Sequence, residues 1–133
     1  MFDHLVGIPY KLHGRDLSGM DCVAVILAGL DLLGAPTACP WSGIRSLCIS
    51  QKLPDPSHYP TGWRLLDGGE IPQIGDVLTL QQPKQMAHLA LLIGPSIALT
   101  TTAKTGSYIC RVSRLPGSIR MRFRPPHFEE VVR

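Results

Sequence analysis

The sequence contains no long hydrophobic run and no leader-like start. Its longest apolar stretch begins at Cys22 and is broken by Asp31, well short of the ~18 uncharged residues that a membrane span needs. The first residues include Asp3 and His4 and lack a basic region followed by an apolar one, so the sequence predicts no signal peptide. We therefore expect synthesis in the cytoplasm and no insertion into a membrane.

The chain also lacks the cysteine spacing of a metal site. None of its four cysteines, Cys22, Cys39, Cys48 and Cys110, forms a C-x-x-C pair. A zinc site needs ligands closer together, and a disulfide framework is not expected in a cytoplasmic product. The sequence therefore predicts no metal and no cofactor, and it favours one special cysteine beside three ordinary ones.

Strong charge is absent as well. The formal net charge of +3 is mild and does not predict a nucleic-acid partner. Several arginines alternate near the end of the chain, a pattern that is typical of a solvated sheet face. They are Arg111, Arg114, Arg120, Arg122 and Arg124.

The order of elements predicts an α+β fold in a single domain spanning residues 1–133. An apolar helix over residues 21–33, capped by Ser18 or Asp21 and stopped at Gly34, lies in a helical part of about residues 1–70. A connector over residues 36–72 follows, with a short helix at 41–48. The strand part, about residues 71–125, predicts an antiparallel meander. Its strands are 76–81, 87–93, 97–102, 108–113 and 119–124.

Two residues carry candidate chemistry. A cysteine at a helix start, such as Cys22, gains thiolate character from the helix dipole, although a buried cysteine is as typical of simple packing. His88 lies in an apolar strand, where a histidine needs a partner or a task. It shares a face with Ala90, whose small side chain leaves room for the helix start to dock there. Together, a thiolate and an imidazole form a nucleophile and base pair.

Several short motifs follow one another along most of the chain. They are Gly7-Ile8-Pro9-Tyr10, Gly14-Arg15-Asp16, Gly19-Met20-Asp21-Cys22, Ile74-Gly75-Asp76-Val77-Leu78 and Ala87-His88-Leu89-Ala90-Leu91-Leu92-Ile93-Gly94. In this order they resemble the motifs of the NlpC/P60 family of papain-like cysteine peptidases. The Gly-Arg-Asp variant is similar to that of tail-associated members encoded by phages and prophages.

The resemblance implies a papain-like α+β fold in which the helix that carries the nucleophile packs on an antiparallel sheet of about five strands. It implies that Cys22 attacks a peptide amide and that His88 acts as base and then as acid. It also implies that Tyr10 lines the site and that Asp21 holds the amine end of the substrate. The alternatives from the residues alone are packing for Tyr10 and helix capping for Asp21. His13 precedes the helix closely enough to line the cleft, or is simply solvated.

Two departures from the family pattern bear on activity. Val23 and Ala24 follow the nucleophile where the family has Ser or Trp and then Gly. The third catalytic position, a histidine in the family, matches Thr100, which would orient an imidazole less firmly. By analogy with triads, losing the third member costs up to roughly 10⁴-fold.

Two tail-associated functions therefore remain open, besides a third in which the same cysteine and histidine carry out acyl transfer or amide hydrolysis on another substrate. The first is a phage tail-tip peptidase that cleaves peptidoglycan stem peptides during wall penetration or tail assembly. The second is a catalytically impaired domain that serves as a structural tail-tip or baseplate component beside other tail proteins. Both predict a protein made in the bacterial cytoplasm and carried in the virion.

Overall fold

The computed structural model describes residues 2–34, 62–81 and 88–126, in which one helix and eight strands occur. The elements are, in chain order, a 3-10 turn (Asp3–Leu5), β1 (Arg15–Asp16), β2 (Gly19–Met20), α1 (Cys22–Leu32), β3 (Arg64–Leu65), β4 (Val77–Gln81), β5 (His88–Gly94), β6 (Ile97–Thr102), β7 (Gly106–Arg111), a second 3-10 turn (Val112–Arg114) and β8 (Ser118–Arg124). The predicted helix at 41–48, together with Cys39 and Cys48, lies outside the described residues.

The helix α1 begins at Cys22 because Asp21 caps it. The Asp21 side chain accepts a hydrogen bond from the Ala24 N–H, as the sequence predicts for one of its two candidate caps. Ser18, the other candidate, instead donates its hydroxyl to the Asp16 carboxylate. The helix stops before Gly34, whose positive φ of 81° is the conformation that glycine adopts after a helix end.

The strands form a six-stranded sheet in the order β3-β8-β4-β5-β6-β7, beside a small hairpin of β1 and β2. Neighbouring strands of the large sheet pair antiparallel, so the α+β fold class is confirmed. The predicted meander is wrong for its last strand, because β8 pairs with β4 and not with its neighbour in the chain, β7. The hairpin and the two-residue β3 are too short to stand out in the sequence.

One face of the sheet packs against α1. Leu89 and Leu91 of β5 lie in a hydrophobic cluster with the α1 side chains. Ala90 packs instead with Leu78, in a cluster of described residues to which α1 does not contribute. Because side chains alternate along a strand, His88 lies on the Ala90 face, opposite α1. The sequence prediction that the helix start docks on that face is wrong, since the larger leucines supply the apolar surface that α1 covers.

A buried ion pair joins two neighbouring strands. Arg124 of β8 donates through Nε and Nη2 to the carboxylate of Asp76, at 2.8 and 3.1 Å, and Asp76 is fully buried. The solvated arginine face predicted for this strand is therefore wrong at Arg124, which is 4% exposed. In the described part of the chain, no helix has the length and hydropathy to cross a membrane.

Candidate active site

The loop before α1 brings three of the predicted site residues together. Tyr10 forms a parallel β-bridge with Met20, so it lies beside the segment that leads into Asp21 and Cys22. The Lys11 N–H donates to the Met20 carbonyl at 3.2 Å, and the Met20 N–H donates to the Pro9 carbonyl at 3.0 Å. These bonds hold half-buried Tyr10 next to the helix start.

Asp21 organises this loop through both of its carboxylate oxygens. Oδ1 accepts from the Ala24 N–H at 3.0 Å, which caps α1. Oδ2 accepts from the His13 N–H at 3.0 Å and from Arg15 Nη1 at 3.1 Å. Burial acts most strongly and raises the pKa of Asp21, but the Ala24 and Arg15 bonds together outweigh it, so that pKa is lowered. Asp21 is therefore a buried carboxylate that stays ionised at neutral pH.

His13 and Arg15 flank this carboxylate from the loop side. His13 has a positive φ of 62°, an uncommon conformation for a non-glycine residue, and its side chain is exposed. The Asp21 bond to its backbone N–H holds this bend. Sequence reasoning placed Arg15 in a motif but gave it no partner. The feature that could have indicated the partner is the position of Arg15, six residues before the helix cap Asp21 and within the β1–β2 hairpin.

The nucleophile candidate is buried at the start of α1. Cys22 is 7% exposed and packs in the same cluster as Leu89 and Trp63. As the first helical residue it lies where the helix dipole favours a negative charge. The other cysteine among the described residues, Cys110, lies on β7, and burial raises the pKa of its thiol. Cys22 is thus the described cysteine that lies at the start of a helix.

The strand residues form a second half of the site. The register pairs Thr100 with Ala90, so Thr100 and His88 lie on the same sheet face. The Thr100 hydroxyl donates to the Leu89 carbonyl at 2.8 Å. His88 Nδ1 is buried and has no hydrogen-bond partner among the described residues. Thr100 therefore lies on the same face as His88 in a diagonal position, and its hydrogen bond goes to the backbone.

Leu89 connects the two halves. Its side chain packs in the cluster that contains Cys22, its carbonyl accepts the Thr100 hydroxyl, and His88 precedes it in the chain. The structure thus groups Tyr10, His13, Asp21 and Cys22 at the helix start, whereas His88 and Thr100 lie on the sheet face opposite α1.

Comparison with solved structures shows what this arrangement resembles. The NlpC/P60 domain of peptidoglycan hydrolase SagA matches with a TM-score of 0.56 and 16% identity, over 91% of this chain and 89% of that one. The chain has the NlpC/P60 fold. An NlpC/P60 family protein from Bacillus cereus ATCC 10987 matches with a TM-score of 0.57 and 21% identity, over 89% of this chain. This chain spans 35% of that protein. No protein-family model and no curated protein matches the sequence.

Proposed function

We propose that this chain is a cysteine peptidase domain that hydrolyses amide bonds in the stem peptides of peptidoglycan. The observation that carries the proposal is the position of Cys22, the first residue of a buried helix in a chain with the NlpC/P60 fold. The match to a domain of a peptidoglycan hydrolase supports the substrate class.

In the proposed reaction, the Cys22 sulfur attacks the amide carbonyl carbon while His88 takes the thiol proton. For this transfer the ring of His88, the first residue of β5, must reach around the strand end to the side that α1 covers. The C–N bond then breaks, His88 gives the proton to the leaving amine, and the acyl group remains on sulfur as a thioester. Water attacks the thioester carbon as His88 accepts its proton, the C–S bond breaks to release the carboxylic acid, and His88 returns the proton to the Cys22 sulfur. The peptide, one water and two side chains balance the reaction, so it uses no metal and no cofactor.

We further propose that the activity belongs to a phage tail tip, with other tail-tip or baseplate proteins as partners. The support is the Gly14-Arg15-Asp16 motif, which resembles that of tail-associated members of the family. The test is mass spectrometry of purified phage particles from a host that encodes this chain. Peptides of the chain in intact particles are expected, and their absence would contradict the tail assignment.

A second candidate function is a catalytically impaired domain kept as a structural tail component. The observation in its favour is that the Thr100 hydroxyl donates to the Leu89 carbonyl, while His88 Nδ1 has no hydrogen-bond partner in the part of the chain that the structure describes. In triad enzymes, loss of the group that orients the imidazole lowers kcat by up to roughly 10⁴-fold.

The deciding experiment is digestion of purified peptidoglycan by wild type, Cys22→Ala, Cys110→Ala and Thr100→His. Peptide release by wild type and Cys110→Ala but not by Cys22→Ala would support the peptidase, and fragment masses would identify the bond. Release by Thr100→His alone would support the impaired domain. If none of the proteins releases peptides, the peptidase proposal is wrong.

A further inference from the structure

The carboxylate next to the nucleophile is already satisfied by the protein. Asp21 is 1% exposed, and its oxygens accept hydrogen bonds from the Ala24 N–H, the His13 N–H and Arg15 Nη1. Such a carboxylate would be the natural receiver of a peptide ammonium group beside Cys22. An incoming ammonium would have to displace the Arg15 guanidinium from a buried ion pair and break the loop around it.

Among the described residues, Arg15 is an ion-pair partner of this carboxylate whose side chain reaches solvent. It belongs to β1 and pairs with Met20 of β2, which directly precedes Asp21. About a third of its side chain is exposed, 32%, whereas that of Asp21 is 2% exposed. A substrate that approaches the helix start from this side therefore meets a guanidinium, whose groups are all donors.

The ion pair also decides which charge this position repels. A free amine carries a positive charge at neutral pH and would approach Arg15 as a like charge, with the neutralising carboxylate buried behind it. A carbonyl or carboxylate oxygen would instead accept from the guanidinium. The arrangement favours acceptor groups and disfavours ammonium groups.

We propose that Arg15 is a specificity-determining residue that selects peptides whose amino end is acylated, through the carbonyl or carboxylate oxygens of the acyl group. The proposal rests on the proposed peptidase function for the identity of the peptide, and it assigns Asp21 the task of positioning Arg15 and the helix start. Stem peptides still joined through their amino end to another group belong to this class, and released peptides with a free amine do not.

The test compares binding of two versions of one stem tetrapeptide, with a free and with an acetylated amino end. Isothermal titration uses the Cys22→Ala protein, in which no hydrolysis can occur. We expect the acetylated peptide to bind at least about tenfold more tightly, the difference that one charge-assisted hydrogen bond supplies. Adding Arg15→Gln should reduce the preference to about twofold or less. Adding Arg64→Gln, the same change at an exposed arginine paired with Glu70, should leave it intact.

Equal or tighter binding of the free-amine peptide would overturn the inference, and so would failure of both peptides to bind at millimolar concentration. The preference in the Cys22→Ala protein decides the matter even if Arg15→Gln fails to fold. Hydrolysis by the wild type is measured separately. If neither peptide is cleaved but the acetylated one binds more tightly, the peptidase fails while the role of Arg15 stands.

Discussion

Replacing Asp21 tests whether the candidate site is built on its carboxylate. Asp21→Ala removes the cap on Ala24 and the two bonds to Oδ2. A lost N-cap costs about 1 kcal/mol. Hydrogen bonds to a buried charged group contribute about 1.5–3 kcal/mol, and the partial exposure of Arg15 favours the lower end. We therefore expect the free energy of unfolding to fall by about 3 kcal/mol, a large part of the ~5–15 kcal/mol typical of a domain.

Asp21→Ser separates the two contributions. A serine caps a helix about as well as an aspartate, so the bond to the Ala24 N–H is kept while those to His13 and Arg15 are lost. We expect this variant to lose about 2 kcal/mol, about 1 kcal/mol less than Asp21→Ala. The assay is urea unfolding followed by circular dichroism, with the slope on urea concentration unchanged between variants.

The same series has a pH signature. The pKa of Asp21 in the folded protein lies below its ordinary value of 3.8, so its carboxylate stabilises the fold at neutral pH. That contribution is lost as the pH falls through the lowered pKa, so the gap between wild type and Asp21→Ala should narrow below about pH 4. A loss under about 1 kcal/mol at pH 7, or equal losses for Ala and Ser, would refute this account of the site.

Three further predictions concern the frame around the site. Arg124→Met leaves the charge of Asp76 buried without its ion-pair partner and should lower the free energy of unfolding by about 3–5 kcal/mol. The control Arg64→Met, at an exposed ion pair, should lower it by under about 1 kcal/mol. Urea unfolding of both variants measures the difference. Gly106→Ala should have a lower melting temperature than Gly7→Ala. Both glycines have positive φ, but a Cβ at Gly106 would lie 2.5 Å from the Ile8 carbonyl oxygen, whereas one at Gly7 would meet no atom within 4 Å. Equal melting temperatures would contradict this steric explanation. Thr100→Val removes the donor to the buried Leu89 carbonyl and should cost about 1–3 kcal/mol in calorimetry, and a neutral result would mean that the bond contributes nothing.

The sequence was most informative where local rules apply. The helix was expected over residues 21–33 and lies at Cys22–Leu32, since a cap, an apolar run and a glycine stop are neighbours in the chain. The strand expected at 97–102 is β6, Ile97–Thr102. The pairing of β8 with β4 could not be predicted, because strands far apart in the chain meet through tertiary packing that no local pattern encodes.

Candidate site residues were found by type, but their partners were not. Asp21 was assigned either capping or substrate binding, and the structure shows the cap together with an ion pair to Arg15. That pair depends on the β1–β2 hairpin, whose two-residue strands carry almost no periodicity. Arg124 was misassigned for a similar reason, because alternation along β8 identifies the face but not the carboxylate that Asp76 brings to it.

The two halves of the site differ in how completely they are built. Around Asp21 each carboxylate oxygen has a donor within 3.1 Å, so the helix start that holds Cys22 is fixed by contacts of the protein itself. On the strand, His88 Nδ1 is buried and has no partner within residues 2–34, 62–81 and 88–126, while the Thr100 hydroxyl donates to the backbone. A buried nitrogen without a hydrogen bond lowers the stability of the fold by about 1–3 kcal/mol. A ligand group that formed this hydrogen bond would recover a similar free energy on binding. Under the proposed function, the limit on activity would therefore lie at His88 rather than at Cys22. Changes at Thr100 should therefore alter turnover, while changes at Arg15 should alter which peptide binds.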